Sequence, residues 1–280
     1  MALGWPDDYP SPASVRKEVD AMVASIAEAL LRRIPASQIA GIYFKGSAQR
    51  RWDSLLDYVP EISDVDVHVL FRDDESVARR LGTVEEALAI QSHIEAAYRA
   101  KVASPLHTPR PQLTILNHLL RDPEYSPSPR ETVTTLHGDD YPEATYDEHR
   151  ERELACARML SHCEALKTLP LRVVDRPGSL LLTVVRDLTW RVSPSGPRVL
   201  SVLGMPAAQA WSLNRTEVVA ALEEQREGDL ATSYRDFYLS AWAYFLSRYA
   251  DSAAARSTVR AGAEVLRRAA VAAGVPPTER

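Results

Sequence analysis

The chain contains 280 residues, of which 45% are hydrophobic and 25% are charged, a composition typical of a globular protein. Its formal net charge is −5, and this acidic balance argues against a general nucleic-acid-binding protein, which normally carries a basic excess. No apolar run reaches the roughly 20 residues that span a bilayer. The first residues also lack the basic start and apolar stretch of a signal peptide. We therefore expect a cytoplasmic protein with no membrane partner.

The first half of the sequence predicts a mixture of helices and strands. Apolar residues recur at helical spacing in some segments, and they are contiguous or alternate with polar residues in others. These patterns predict, in chain order, a helix over 11–34, a strand over 39–47, a strand over 64–71, a helix over 83–101 and a strand over 112–120. The segments between them are predicted to be turns and loops.

The second half predicts helices only. From Thr145 onward the apolar residues keep helical spacing, and no segment shows the alternation of a strand. Breaks are predicted over 193–198 (SPSGPR) and over 203–206 (LGMP), where proline and glycine interrupt the pattern. The expected fold class is α+β: a small mixed sheet flanked by helices, followed by an all-α C-terminal domain.

Residues 45–71 carry the pattern with the clearest chemistry. Asp64 and Asp66 are two residues apart on a predicted strand, so both carboxylates project from one face. Such a pair can hold Mg²⁺, which prefers oxygen ligands and usually keeps substrate phosphates as further ligands. Gly46 and Ser47 end the preceding strand, where a glycine turn lets backbone N–H groups approach an anion. The pattern predicts a site for phosphate and metal.

An alternative interpretation is a surface hairpin whose acids only face water. Two neighbouring carboxylates on a strand repel each other, and this costs stability unless something neutralises them. We expect a metal ion to be the neutralising group.

This arrangement resembles the nucleotidyltransferase superfamily, which includes DNA polymerase beta and the aminoglycoside nucleotidyltransferases. The family motif is an apolar strand, Gly-Gly or Gly-Ser, a gap of about ten or more residues, and Asp-x-Asp within an apolar strand. Gly46 and Ser47 match its first part, and Asp64 and Asp66 match its second. The resemblance covers roughly residues 12–140. It implies a nucleotidyltransferase-like catalytic domain over 1–140 and a helical acceptor-binding domain over 141–280.

One departure from the family pattern bears on activity. The family commonly supplies a third carboxylate from a later strand, and the predicted strand over 112–120 has none. On that strand Gln112 and Thr114 share one face. Acids elsewhere in the sequence are candidates for the missing group: Asp122, Glu124, Asp139 and Asp140. Its absence leaves open a relative that binds nucleotide without catalysis.

Basic and aromatic residues beside the motif have two interpretations each. Lys45, Arg50 and Arg51 stand where a triphosphate would lie, and a guanidinium can bind phosphate oxygens in bidentate fashion. They fit a solvated surface equally well. Trp52 and Tyr58 fit either stacking on a base or packing of the connecting loop.

The resemblance implies a metal-dependent nucleotidyltransferase. Asp64 and Asp66 would bind Mg²⁺ (or Mn²⁺), and Gly46, Ser47, Lys45 and Arg50 would contact the phosphates of a nucleoside triphosphate, ATP first. A nucleoside monophosphate would pass to an acceptor hydroxyl. A small cationic acceptor suits the acidic chain best, and a protein hydroxyl or an RNA end is the next acceptor to consider.

An alternative function of a different class is nucleotide binding or regulation without catalysis.

Overall fold

The computed structural model describes residues 4–274. It is an α+β structure with one mixed, four-stranded sheet flanked by helices. The elements in chain order are α1 (Pro12–Arg33), β1 (Ile39–Lys45), β2 (Asp64–Phe71), α2 (Asp74–Leu81), α3 (Val84–Lys101), β3 (Arg110–Ile115), α4 (Leu116–Leu119), β4 (Thr134–Gly138), α5 (Glu148–Glu164), α6 (Leu169–Val174), α7 (Leu181–Val202), α8 (Ala207–Ser212), α9 (Arg215–Glu224), α10 (Gly228–Leu246) and α11 (Ser252–Ala272).

The chain divides into two compact units. The sheet unit consists of Trp5–Arg51 and Ser63–Thr145, and it holds β1–β4 with α1–α4. The helical unit consists, within the described residues, of Gly4, Trp52–Ile62 and residues 146–274, and it holds α5–α11. The connection between the Gly46 turn and β2 is thus grouped with the helical unit. None of the helices in residues 4–274 combines the length and apolar character needed to cross a membrane.

The strand order is β3–β2–β1–β4. β1 pairs antiparallel with both β2 and β4, whereas β2 and β3 run parallel. The register sets Lys45 opposite Asp66 and sets Asp66 opposite Gln112. Side chains directly opposite each other on paired strands share a face, so these three residues lie side by side on one face of the sheet.

The two faces of β2 differ in chemistry. Three side chains on one face are fully buried: Val65, Val67 and Val69. The helix α1 packs against β2. The other face begins with Asp64 and Asp66, which are half-buried, and continues with the buried His68. The period-2 pattern therefore produces a strand with one apolar face and one polar face, as the sequence predicts.

The predicted strand over 112–120 was wrong beyond Ile115. The Asn117 side chain accepts a hydrogen bond from Phe71 N–H at 2.8 Å and donates one to Phe71 C=O at 3.0 Å. It thereby satisfies the backbone groups that a longer β3 would have paired, and the chain turns into α4. Three elements of the first half were missed: α4 itself, β4, and the helix α2, which begins at the side chain of Asp73.

The predicted break over 193–198 was also wrong. α7 runs through Pro194 and Pro197. A proline deprives the carbonyl four residues earlier of its helical donor, and for Pro197 the Tyr234 hydroxyl replaces that donor, since it hydrogen-bonds to Ser193 C=O at 2.9 Å. A Cβ on Gly196 would lie 2.4 Å from Val218, so glycine is needed there for close helix packing.

Buried polar contacts fix Trp52–Ile62 within the helical unit. The indole N–H of Trp242 donates to Leu55 C=O at 2.7 Å, and the Arg215 guanidinium donates to Leu56 C=O at 3.1 Å. The buried Asp57 carboxylate accepts from Thr216 N–H at 2.9 Å and from its hydroxyl at 2.7 Å. Buried acceptors paired in this way avoid the cost of leaving polar groups unsatisfied.

Candidate functional site

The glycine turn after β1 lies directly against a carboxylate. Gly46 has φ +80°, and a Cβ built on it would lie 2.1 Å from Asp66 Oδ2. Any other residue would be strained there and would collide with the acid. Gly46 C=O accepts from Gln49 N–H, which closes the turn. The sequence-predicted Gly46–Ser47 turn and the first carboxylates of β2 are therefore adjacent.

Gln112 joins the two carboxylates. With its amide oriented to satisfy the groups around it, its nitrogen donates to Asp64 Oδ2 at 2.9 Å and to Asp66 Oδ1 at 3.2 Å. Asp64 and Asp66 are thus held together by a neutral donor from β3. This is the strand from which the resemblance implies a third carboxylate, so an amide occupies the position of an acid.

Arg110 forms an ion pair with Asp64, its register partner on β3. The pair is largely shielded from solvent, since 12% of the Asp64 side chain and 26% of the Arg110 side chain are exposed. The sequence predicts that a metal ion neutralises the paired acids. In the structure, their neutralisation does not require that ion. The protein supplies a guanidinium and an amide for that purpose.

Lys45 lies on the same face as Asp66, because the two residues are register partners. Burial lowers the pKa of Lys45, the nearby Asp66 carboxylate raises it, and Arg50 lowers it further. Arg50 is thus close enough to act on Lys45, and it is half-buried, whereas Arg51 is exposed. Lys45 and Gly46 thus lie beside Asp66, with Arg50 near Lys45; Ser47 follows Gly46 in the turn, and Arg51 is exposed.

None of the acids considered as a third carboxylate joins the pair. Asp139 follows β4 and its N–H bonds to Ala40 C=O, at the end of β1 remote from Lys45, and Asp140 follows it. Asp122 and Glu124 lie in the turns beyond α4, past the far end of β3. In the part of the chain that the structure describes, no group of three or more His, Cys, Asp or Glu side chains could hold a metal ion.

The donor set fits one kind of magnesium site. Mg²⁺ in proteins commonly takes one or two carboxylates and completes its shell with substrate phosphates and water. Asp64 and Asp66 can supply that pair of carboxylates if their oxygens give up the contacts with Arg110 and Gln112. The two carboxylates therefore fit an ion that arrives with a polyphosphate, and they do not fit an ion held by protein ligands alone.

His68 follows the two acids on the polar face of β2 and serves the scaffold. Burial, and secondarily Lys45, lower the pKa of His68 to about 3, and its Nδ1 accepts from the Tyr141 hydroxyl at 3.3 Å. His68 is therefore a neutral, satisfied core residue.

In the helical unit Trp52 stacks on the buried Tyr58 with ring centroids 4.6 Å apart, which agrees with the packing interpretation of these rings.

Sequence reasoning missed Arg110. It stands in residues 102–111, which the sequence predicts to be a loop between a helix and a strand, although its position two residues before Gln112 on the same strand face is a usable signal. Comparison of the chain with protein-family models, curated proteins and solved structures found no match. The resemblance to nucleotidyltransferases accordingly rests on the residues from Lys45 to Phe71.

Proposed function

We propose that this chain binds a nucleoside triphosphate, ATP first, together with Mg²⁺ or Mn²⁺, and that it does so without efficient transfer chemistry of its own. The observation that carries the proposal is the position of the Asp66 carboxylate against the Gly46 turn, with Asp64 beside it on the same face. The Gly46 turn, whose backbone could bind phosphate, and the two carboxylates, whose oxygens could bind a metal ion, would then form one site. This is the arrangement that the resemblance implies.

The charge balance of the site favours a polyphosphate. Three cations, Lys45, Arg50 and Arg110, accompany two carboxylates. A guanidinium binds phosphate oxygens as well as it binds a carboxylate, so Arg110 can exchange Asp64 for a phosphate when nucleotide enters. Asp64 would then be released toward Mg²⁺, which when bound would neutralise phosphate charge. Lys45 and Arg50 would hold the phosphates from the side of β1.

Gln112 is the reason for placing binding ahead of catalysis. A carboxylate at this position would face Asp66 and add a third acidic ligand or a proton acceptor. An amide does neither, because it carries no charge and is not a base at neutral pH. The site therefore keeps its phosphate-binding groups while it lacks a third acid within the described chain.

The second candidate is nucleotidyl transfer, and the paired carboxylates beside the turn favour it. In that reaction an acceptor hydroxyl oxygen bonds to the α-phosphorus, the bond from that phosphorus to the bridging oxygen breaks, and pyrophosphate leaves with the displaced electron pair. The hydroxyl proton would pass to solvent water, because Gln112 is not a base at neutral pH. A small cationic alcohol is the acceptor class that the acidic chain favours, and the helical unit is the proposed site of its selection.

Calorimetry of ATP binding with and without Mg²⁺ tests the first proposal. We expect magnesium-dependent binding by the wild type, weakened by at least about tenfold in Asp66→Asn. Asp236→Asn makes the same chemical change at an exposed position of the helical unit and should bind like the wild type. Failure of ATP, GTP, CTP and UTP to bind under any condition would contradict the proposal.

Pyrophosphate release separates the two candidates. With Mg·ATP and a panel of aminoglycoside-like alcohols, the binding proposal expects no release above background from a protein that nevertheless binds ATP. Acceptor-dependent release that disappears in Asp64→Ala would establish transfer instead. Binding and release are separate readouts, so one result does not prejudge the other.

A further inference from the structure

A cluster of basic side chains lies in the helical unit, outside the site described above. Arg158 and His162 are one turn apart on α5, and Arg191 and Arg198 are two turns apart on α7, which packs against α5. Trp211 of α8 lies under the Arg198 guanidinium, 5.8 Å from the carbon to the ring centroid. We call these four residues of α5 and α7 the arginine cluster.

The guanidinium of Arg198 is held by groups that carry no negative charge. Its Nη1 lies 3.4 Å from His162 Nδ1, and the face of Trp211 provides the second contact. Among the residues that the structure describes, no carboxylate lies within ion-pair distance of Arg198. A half-buried guanidinium normally has an acid opposite it, because burying an uncompensated charge is costly.

His162 does not provide that charge either. It hydrogen-bonds to the backbone of Arg191, and burial together with Arg198, Arg191 and Arg158 lowers its pKa to about 4. At neutral pH it is an uncharged imidazole whose Nδ1 accepts the hydrogen bond from Arg198. The imidazole orients the guanidinium and leaves the positive charge in place.

One acid next to the arginine cluster, Asp187, is already shared. Asp187 of α7 accepts from Arg191 at 2.7 Å and also from Arg172 at 2.7 Å. Its single charge therefore faces two guanidinium groups. Burial, and then the like charge of Arg158, lower the pKa of Arg198 to about 10, as expected for a guanidinium shielded from water beside a second guanidinium.

We propose that the arginine cluster binds a phosphate group, either inorganic phosphate or the phosphate of a small monoester. Guanidinium groups bind phosphate in bidentate fashion, and a dianion matches several cations better than a monoanion does. Arg158 is exposed and Arg198 is half-buried, so an anion can reach Arg198 from solvent past Arg158. This site uses residues of the helical unit only, and none of them is proposed to bind nucleotide.

The test is titration calorimetry of the full-length protein with inorganic phosphate. Arg198→Gln removes the half-buried cation, and Arg158→Gln removes the exposed one, where loss of folding is not expected. Each should weaken binding by about tenfold or more, because each removes a charge-assisted hydrogen bond. Arg256→Gln makes the same change at an exposed position of α11 and should bind like the wild type.

Two further arms locate and identify the ligand. Arg50→Gln tests the sheet unit as the other possible location: phosphate binding that is lost in Arg50→Gln and kept in Arg198→Gln would overturn the proposal. Glycerol 3-phosphate beside inorganic phosphate distinguishes the sources: tighter binding of the ester identifies a monoester, and tighter binding of the free ion identifies inorganic phosphate. No saturable binding of either compound, or equal binding by the wild type, Arg198→Gln and Arg158→Gln, overturns the proposal.

Discussion

The two units handle partly buried charge in different ways. In the sheet unit Asp64 faces Arg110, and Asp64 and Asp66 share the amide of Gln112. In the helical unit Arg198 faces a neutral imidazole and an indole ring. The two acids are compensated within the protein, whereas Arg198 is not.

This difference teaches what each set of residues can bind. Carboxylates that already have protein partners hold no strong free site for a cation, so a metal ion must come with a ligand that displaces those partners. A guanidinium without an acid remains an open site for an anion. The presence of charged residues is therefore a weaker guide to ligand type than the balance of charge among their neighbours.

The largest expected effect comes from replacing an arginine with methionine in each unit, Arg110 in one variant and Arg198 in another. Arg110→Met leaves Asp64 without its cation, and we expect it to lower the free energy of unfolding by about 2–3 kcal/mol. Arg198→Met removes an uncompensated cation and one hydrogen bond, so its effect should stay within about 1 kcal/mol in phosphate-free buffer. Urea unfolding of the two variants measures both. Equal losses would show that the two arginines are compensated alike.

A smaller effect is expected from adding the acid that the sheet unit lacks. Gln112→Glu replaces the bridging amide with a third carboxylate between Asp64 and Asp66, and it should destabilise the protein by about 2 kcal/mol without metal. Mg²⁺ should restore most of that loss, since three carboxylates hold a divalent ion that two do not. Thermal unfolding with Mg²⁺ and with chelator measures the rescue.

Gln112→Met is the control for that variant. It also loses the bridge between the carboxylates but adds no charge, so its thermal midpoint should fall without recovery in Mg²⁺. If Mg²⁺ stabilises both variants and the wild type to the same degree, Gln112 is not what limits metal binding at this face of the sheet.

Local patterns were enough to predict much of the fold and part of the site. Contiguous and alternating apolar residues predicted β1 and β2, and Gly46 could be recognised from its neighbours in sequence. β4 was missed because it is a short edge strand whose residues are mostly exposed, so it carries no burial pattern. The prolines of α7 are tolerated through the Tyr234 hydroxyl, which lies far away in the sequence.

The roles of Arg110 and Gln112 depend on long-range pairing. Each faces an acid of β2 only because β2 and β3 are parallel in one register, and a shift of one residue would turn both side chains to the other face. The arginine cluster similarly depends on the packing of α5 and α7. Sequence spacing predicted the candidate ligands, but their compensation by other charges is a property of the folded chain.

The smallest expected effect concerns a third compensated acid of the sheet unit, Glu18 of α1. Its carboxylate accepts from Leu106 N–H at 2.6 Å, and His107 Nδ1 lies 2.6 Å from it. Burial alone would raise the pKa of Glu18, but hydrogen bonds from the His107 ring and from the backbone of Leu106 and His107 lower it below the ordinary 4.5. These contacts fix the loop that leads directly into Arg110.

The sign of the pH dependence follows from that lowered pKa. The stabilisation by Glu18 is complete at pH values above the unfolded pKa and disappears as the pH falls through the lower folded pKa. Glu18→Gln should lose about 1 kcal/mol at neutral pH, and the difference from the wild type should shrink steadily below pH about 4.5. Urea unfolding across this range measures the difference, with Glu224→Gln, an exposed position on α9, as control. A difference that stays constant as the pH falls would mean that the carboxylate charge does not stabilise the loop, and internal compensation in the sheet unit would then be limited to the strand residues.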